Sequence, residues 1–283
     1  MGNQTISRAS ARGTIKGGTM AQEFLNRALP IFTEAGFQIL RNKVVGFAGL
    51  GGVGGGAFLA LVRCGVTHFR LAENGVFDPP DMNRQAGAFG TTMDCNKLDV
   101  YLELARSINP DVVLEPYPEG INEENIEDFL DGVDLYVGVI DVEKGAAVKA
   151  MTPLLLEKFN IPMFTCGAFG FGALMVAHEP GGMMPDAFWK RVGETPEGRL
   201  LPSHMERHFN GQVMERMVKG YAKGIQSTTA IGGIASNTLL ACEVLTYMLR
   251  GSDLVDRKSV FAPRYVIVDF MNLEMTVQDI TRV

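Results

Sequence analysis

The sequence predicts an α/β protein with a Rossmann-like, mostly parallel sheet and helices on both faces, continued by a C-terminal part with additional strands and a long crossover loop. Short apolar runs alternate with helical segments along the first half, which favours a parallel sheet. A glycine-rich turn directly follows the first apolar run. The 283 residues are 46% hydrophobic and 20% charged, as in ordinary globular proteins, so disordered and fibrous classes are excluded.

Composition also limits the domain number and the kind of partner. We expect a single domain over 21–283, preceded by a disordered arm over 1–20 that is basic and lacks acidic residues; a transit peptide is the alternative. The net charge of −6 would not attract a phosphate backbone, so no nucleic-acid partner is expected. No apolar run reaches the ~18 residues that cross a bilayer, so no membrane span is expected.

Cysteine usage indicates the compartment. The four cysteines lie far apart, which indicates neither a Cys-x-x-Cys zinc site nor a disulfide framework. The first 20 residues lack the apolar middle of a secretory signal. A reducing, cytoplasmic location fits both observations.

Periodicity and turn residues predict the elements of the first half in order. Apolar positions at helical spacing predict helices, and compact apolar runs predict strands. The expected elements are a helical segment over 21–41, strand 44–48, the glycine turn, helix 57–62, strand 67–71, helix 98–108, strand 112–114, helix 122–130 and strand 135–140.

The second half begins regularly and then changes character. The expected elements are helix 146–159, strands 162–166 and 172–177, helix 231–249 and strand 265–269. Glycines and prolines punctuate 179–224, which predicts a long crossover loop over the surface. Because long loops in compact domains are usually functional or disordered, we expect this segment to contact the substrate.

The glycine turn, residues 49–54, is the first functional signal. Gly49, Gly51 and Gly54 satisfy the pattern G-x-G-x-x-G, with Gly52 beside them, between a strand and a helix. In such a turn, backbone N–H groups and the helix dipole face phosphates. Glu73 ends the next expected strand, where an acid accepts a ribose hydroxyl. A dehydrogenase would use both features equally well, and a turn made only for packing would use the same glycines.

Two cations follow this turn in a short string. Asn83, Arg84 and Gln85 are consecutive, and Lys97 directly precedes the next expected helix. Hydride transfer has no need of clustered cations, whereas attack on a nucleotide's α-phosphate does, because negative charge spreads over the phosphate oxygens. Taken singly, both cations would be interpreted as ordinary solvated surface residues.

The whole pattern resembles the ubiquitin-activating-like adenylyltransferases, the ThiF/MoeB/HesA superfamily. The matching features run from Asn26-Arg27, through the string above, to Asp141 after the apolar run 135–140 and on to the closing helix and strand, over roughly 24–280. The resemblance implies an adenylation domain that binds ATP and Mg²⁺.

The same resemblance implies a role for each matching residue. Glu73 would bind the ribose, and Arg84 and Lys97 would hold the phosphates of ATP. The four glycines, Asn83 and Gln85 would complete the nucleotide site.

Two further roles are implied for more distant residues. Asp141 would bind Mg²⁺, although an aspartate after a strand is also a common helix N-cap. Arg27 would reach across a homodimer to the partner's ATP, although by itself it is equally an ordinary surface charge.

The implied reaction is ATP- and Mg²⁺-dependent adenylation of a carboxylate, releasing pyrophosphate. The expected acceptor is the C-terminus of a small ubiquitin-like or sulfur-carrier protein, or a modified peptide; a small molecule or a tRNA-base side chain is the weaker option. Two alternatives stay open: an NAD(P)-dependent oxidoreductase with a Rossmann domain, and a catalytically silent ATP-binding scaffold subunit.

Several positions depart from the family pattern. Asp81 replaces an asparagine, Gly75 replaces an acid, and Val142 follows Asp141 where asparagine is usual. Zinc-binding cysteine pairs are missing, and 179–224 contains no cysteine for a thioester. Cys166 is either a buried structural residue, the commoner case, or a nucleophile.

Three other sequence patterns are weaker indications of function. His204 and His208 have the i, i+4 spacing of zinc ligands but also of a solvated helix. The apolar positions of 231–249 cover more than one face, which predicts a partner surface. Five methionines indicate either an adaptable peptide-binding surface or core filling: Met183, Met184, Met205, Met214 and Met217.

Overall fold

A computed structural model describes residues 23–140 and 146–282, and all eight of its strands form one sheet in the order β3-β2-β1-β4-β5-β6-β7-β8. The strands are β1 (Val44–Ala48), β2 (His68–Ala72), β3 (Val113–Tyr117), β4 (Leu135–Gly138), β5 (Met163–Phe169), β6 (Gly172–His178), β7 (Arg264–Asp269) and β8 (Glu274–Asp279).

Nine helices of the described ranges connect these strands. They are α1 (Leu29–Arg41), α2 (Gly54–Arg63), α3 (Lys97–Ile108), α4 (Ile126–Leu130), α5 (Ala146–Phe159), α6 (Pro185–Val192), α7 (Ser203–Glu206), α8 (Gly211–Tyr221) and α9 (Ala230–Met248). Short 3₁₀ turns cover Pro79–Asn83 and Ile280–Arg282.

The sheet has a parallel part and an antiparallel part. β3, β2, β1, β4 and β5 pair in parallel, whereas β6, β7 and β8 each run antiparallel to the strand before. The predicted fold class, a mostly parallel Rossmann-like sheet with additional C-terminal strands, is confirmed. β1 lies between β2 and β4, so the chain changes direction across the sheet at the glycine turn, where α/β proteins bind ligands.

Helices cover both faces of the sheet. The larger core packs α1, α2, α3 and α9 against one face, while α4 and α5 cover the parallel strands on the other. The side chains of β6 alternate accordingly: Ala173 and Met175 face the larger core, and Leu174 and Val176 face the opposite side.

That opposite side holds a separate core, the methionine cluster, under α6, α7 and α8. Its buried members are Leu174, Val176, Phe188, Val192, Leu201, Met205, Phe209, Met214, Met217, Ala262, Tyr265, Ile267 and Ile280. Residues 179–224, predicted to be a long surface loop, therefore contain three helices and their own packed interior. The helix starts are local: Pro185 occupies the first turn of α6, and the Asn210 side chain caps α8 by accepting from the Val213 N–H at 3.2 Å.

Three other expectations need correction. The helix predicted over 122–130 is helical only from Ile126, and β8 was not predicted as a separate strand. The apolar surplus of α9 packs mainly inside the chain, because Leu239, Leu240 and Val244 are buried. Only at its start does α9 expose large apolar side chains.

Some predictions fall outside the described residues. The arm over 1–20 and the metal position Asp141, with Val142 beside it, lie in ranges that the structure does not describe. Across 23–140 and 146–282, no helix is long and apolar enough to cross a membrane.

Candidate active site

The glycine turn lies at the carboxyl end of β1 and leads into α2. Gly49 has a φ of 98°, and a Cβ there would lie 2.7 Å from the carbonyl oxygen of Val139, at the end of β4. A Cβ at Gly54 would overlap the carbonyl oxygen of Gly49. Larger residues are therefore excluded by backbone on both sides, and the start of α2 is left open to a ligand.

Glu73 lies against this turn from β2. Its Oε2 accepts from the Leu50 N–H at 2.7 Å, and its Oε1 accepts from the N–H groups of Gly75 (2.8 Å) and Asn74 (3.0 Å). A carboxylate has about four acceptor sites, so these three bonds fix its position and leave capacity for one more donor. Its role in binding a ribose remains a prediction.

Arg84 lies between the glycine turn and α9. A Cβ at Gly52 would lie 3.2 Å from the arginine Nε, and one at Gly233 would lie 3.2 Å from its carbonyl oxygen. The Nη1 group donates to the carbonyl of Pro80 at 3.0 Å and to Asn83 Oδ1 at 3.1 Å. The guanidinium is thus held over the turn with Nε directed at Gly52.

Lys97 begins α3 and approaches the same place from another direction. Its Nζ is 2.9 Å from Asp81 Oδ2 and 5.5 Å from the centre of the Phe77 ring. Asp81 Oδ1 is 3.5 Å from Arg84 Nη2 and also accepts from Gln85 Nε2. The two cations singled out in the sequence are therefore brought together around one buried carboxylate.

The two polar neighbours of Arg84 are also part of this arrangement. Asn83 donates through Nδ2 to the carbonyl of Thr228 at 3.2 Å, which ties the cation string to the segment before α9. Gln85 is buried, and among the described side chains its Oε1 is one of the few enclosed polar atoms without a partner. An unpartnered buried acceptor of this kind usually marks a place where water or another group completes the hydrogen bonding.

Two residues missed by sequence analysis pack against the first turn of α2, directly after the glycine turn. A Cβ at Gly55 would overlap the hydroxyl group of Tyr101, which accepts from the Gly87 N–H at 3.2 Å; burial raises the pKa of this phenol. A Cβ at Gly56 would overlap the side-chain amide of Asn237 on α9. A tyrosine and an asparagine inside amphipathic helices carry no sequence signal for such contacts.

Arg27 is not brought to this site within one chain. It is exposed, and Leu25 beside it packs against Gly65, just beyond the end of α2. The glycine turn lies at the other end of this helix of 10 residues, about 15 Å away at 1.5 Å per residue. The predicted contact of Arg27 with a partner's ATP is not tested by the structure of one chain.

The remaining candidate residues are one cysteine and two histidines, which lie away from the glycine turn in the sequence. Cys166 is buried, and burial raises the pKa of its thiol. His208 Nδ1 lies 2.9 Å from Glu274 Oε1, whereas His204 faces no acid, and burial lowers its pKa. Within the ranges that the structure describes, no three His, Cys, Asp or Glu residues cluster as a metal site.

The five methionines fill space inside the protein. Met205, Met214 and Met217 are buried in the methionine cluster, with Met183 packed against it. Met184 packs against the core under α4 and α5. Core filling therefore describes the packing of these side chains, although Met217 also borders a cavity.

A cavity of about 210 Å³ lies at the same edge of the sheet as the glycine turn. It is bounded by the β5–β6 turn at Gly170 and Phe171, by Val213 and Met217 of α8, and by 227–229. β5 is parallel to β1, so this turn is on the carboxyl side, and the Asn83–Thr228 hydrogen bond connects the cavity to the cations. Arg216 is the one charged residue in its lining.

The fold and site together define an α/β protein with a Rossmann-like sheet, a glycine turn at its switch point and two cations that converge beside that turn. The chain belongs to the ThiF family, whose model matches residues 25–281.

Individual curated relatives match only part of this chain, at modest sequence identity. The tRNA threonylcarbamoyladenosine dehydratase of Bacillus subtilis is 32% identical over 123 residues, 43% of this chain and 48% of that protein. The adenylyltransferase and sulfurtransferase MOCS3 of Arabidopsis thaliana is 28% identical over 155 residues, 54% of this chain and 33% of that protein. The crystal structure of Escherichia coli MccB with ATP superposes with a TM-score of 0.67 at 14% identity, over 91% of this chain and 71% of MccB, which shows the fold. The chain spans 33% to 60% of the length of the curated relatives it matches.

Proposed function

We propose that the protein adenylates a carboxylate with ATP and releases pyrophosphate. The observation that carries the proposal is the convergence of Arg84 and Lys97 on Asp81, directly beside the glycine turn. A carboxylate that attacks an α-phosphate brings two anions together, so catalysis depends on positioning and on neutralising spread charge. Family membership supports this chemistry, since one relative is named an adenylyltransferase.

The residues of the site fit a nucleotide. The glycine turn and the start of α2 offer N–H groups to phosphates. Glu73 keeps an acceptor site for a ribose hydroxyl, and Gln85 keeps an unpartnered carbonyl. Arg84 Nε and the remaining donors of Lys97 would hold the phosphates. ATP, when bound, supplies the electrophilic α-phosphate and the pyrophosphate leaving group.

We assign Mg²⁺ to Asp141, two residues beyond Val139, which borders the glycine turn. Mg²⁺ keeps most of its waters and needs few protein carboxylates, so one aspartate would suffice. We place the reaction in the cytoplasm, where ATP is abundant and where the free cysteines would stay reduced.

The proposed acceptor is the C-terminus of a small carrier protein or a modified peptide. The cavity beside Gly170 suits the end of such a chain, because Phe171, Val213 and Met217 offer apolar contacts and the cavity adjoins the cations. MccB has been solved with MccA, whereas another relative is named for a tRNA nucleoside, so a tRNA side chain is the second option. The adenylate would form without a protein thioester, since 179–224 contains no cysteine and Cys166 is buried.

The cavity assignment is tested by filling the cavity. Val213→Phe should raise the KM for the acceptor at least tenfold and leave ATP binding unchanged. Ile225→Phe adds a ring at an exposed position outside the cavity and should change neither value. Equal acceptor KM values in the two variants would remove the cavity from the proposal.

The reaction itself is tested by ATP–pyrophosphate exchange. The candidate acceptors are small proteins ending in Gly-Gly and short precursor peptides encoded beside the gene. We expect exchange that depends on ATP, Mg²⁺ and one acceptor.

A second candidate, a dinucleotide-dependent oxidoreductase, is favoured by the glycine turn and Glu73 alone. Calorimetry with ATP and NAD separates the two, and tighter binding of NAD would exclude adenylation. ATP binding without exchange for any acceptor would instead favour a silent scaffold subunit.

A further inference from the structure

Asp81 is the carboxylate on which both site cations converge, at a position where the resembled family has asparagine. We propose that Asp81 is a positioning residue that holds Lys97 and Arg84 in the geometry needed for adenylation. This inference rests on the proposed function and deepens it, because it explains how one departure from the family pattern is accommodated.

The contacts of Asp81 use both carboxylate oxygens. Oδ2 forms an ion pair with Lys97 Nζ at 2.9 Å and accepts from the Asp78 N–H at 3.3 Å, at the start of the 3₁₀ turn Pro79–Asn83. Oδ1 accepts from Gln85 Nε2 and lies 3.5 Å from Arg84 Nη2. The side chain is 6% exposed, so water contributes little to this set of four donors.

An amide could not replace this carboxylate. Asparagine has one acceptor oxygen and two N–H donors, so one side of the group would point donors at Lys97 or at Gln85. The buried carboxylate accepts hydrogen bonds from the Asp78 N–H and from Gln85. It also forms ion pairs with Lys97 and Arg84, and so balances the charge of one cation. Asp81 therefore suits a site in which the cations are fixed before the nucleotide arrives.

The contacts with Asp81 leave hydrogen-bond donors of both cations unused. Lys97 has three N–H donors, and its contact with Asp81 uses one. Nη1 of Arg84 donates to the Pro80 carbonyl and to Asn83 Oδ1, while its Nε lies close to Gly52. The remaining donors can serve phosphate oxygens without breaking the contacts to Asp81, as preorganised transition-state stabilisation requires.

The first experiment measures exchange kinetics for Asp81→Asn, with Asp99→Asn as the control. Asp99 lies two residues after Lys97, is exposed and carries the same charge. We expect Asp81→Asn to lower kcat at least tenfold and to change the KM for ATP less than threefold. Asp99→Asn should stay within twofold of wild type. Undiminished kcat with tighter ATP binding would show that Asp81 only adds negative charge, and would overturn the proposal.

A double-mutant cycle tests whether Asp81 acts through Lys97. Asp81→Asn should cost less in a Lys97→Ala background than in the wild type, because one of the two cations that it positions is already gone. Fully multiplied losses would mean that Asp81 acts independently of Lys97, and would overturn the proposal. If Asp81→Asn does not fold, Asp81→Glu replaces it: its displaced carboxylate should still cost at least tenfold, and activity within threefold of wild type would contradict positioning.

One readout does not require the proposed reaction. Acetic anhydride labelling, quantified by mass spectrometry, compares Lys97 with the exposed Lys258. We expect Asp81→Asn to raise the relative labelling of Lys97 at least fivefold, because its ammonium is no longer held. Equal relative labelling of Lys97 in the variant and in the wild type would contradict the positioning role, even if the variant is active. Absence of ATP binding and exchange in the wild type would instead refute the proposed function, and labelling would still decide the contact.

Discussion

The glycine turn and the segment that covers the methionine cluster use glycine in opposite ways. At Gly54, Gly55 and Gly56, an added Cβ would overlap neighbouring atoms, so the site is built to one geometry. Within the helical segment 179–224, an added Cβ at five glycines would meet nothing within 4 Å: Gly181, Gly193, Gly198, Gly211 and Gly224. Beneath them, flexible methionines fill the core. At the start of α2, glycine is required by close neighbours. In 179–224 it is required mainly by backbone shape, because all five of these glycines except Gly211 have positive φ.

The sharpest test of this contrast is the pair Gly54→Ala and Gly211→Ala. The first places a Cβ against the carbonyl of Gly49 and 2.9 Å from Val139 Cγ2. Since backbone must move, we expect a loss of more than about 3 kcal/mol in the free energy of unfolding and loss of ATP binding. Urea unfolding and calorimetry measure both.

Gly211→Ala is the matched change on the other side. Gly211 begins α8 in open space, and its φ is not positive, so alanine should raise the free energy of unfolding by about 0.4–1 kcal/mol through the unfolded chain. Equal changes in the free energy of unfolding for Gly54→Ala and Gly211→Ala would contradict the difference proposed between the two regions.

Lys97→Ala sharpens the comparison within the rigid site. Removing a phosphate contact made most strongly in the transition state should lower the exchange rate ~30–1000-fold, or about 2–4 kcal/mol. The sequence alone suggests little effect on the fold, but Lys97 pairs with buried Asp81, so we also expect about 1–3 kcal/mol of lost stability. Exchange within threefold of wild type would remove Lys97 from the site.

The Arg27 prediction concerns completion of the site by a second chain. If a homodimer places Arg27 at the partner's ATP, then Arg27→Ala and Lys97→Ala subunits, each poorly active, should recover up to about half of one site's activity when mixed. Activity against mixing ratio, with mass from light scattering, measures this. A monomeric mass, or no recovery after proven subunit exchange, would leave Arg27 an exposed surface residue.

The smallest effect on activity is expected at Cys166, which packs in the larger core between the two regions. Cys166→Ser should retain exchange activity within about threefold, because the substrate carboxylate is the nucleophile. Its buried hydroxyl should cost about 1–2 kcal/mol of stability. Loss of exchange by a folded variant would reveal a working thiol.

Much of the parallel half could be predicted from sequence, and less of the second half. Around β1, compact apolar runs and the glycine turn mark each boundary, because buried parallel strands are short and continuously apolar. In 179–224, the glycines and prolines that suggested a loop lie at or between helix ends, and the methionines that suggested a surface are core. Composition cannot distinguish a loop from short helices joined by turns.

The sequence by itself determined the order of elements in the parallel half, the glycine turn and the cations Arg84 and Lys97, since these depend on local spacing. Only the tertiary structure decided that both cations share Asp81, that Tyr101 and Asn237 pack against the first turn of α2, and that a cavity opens beside Gly170. These contacts join residues on different helices and strands, and which side chains meet depends on how the faces of those elements pack. Hydrophobic periodicity predicts which face of a helix or strand is buried, but only tertiary packing determines which side chains that face contacts.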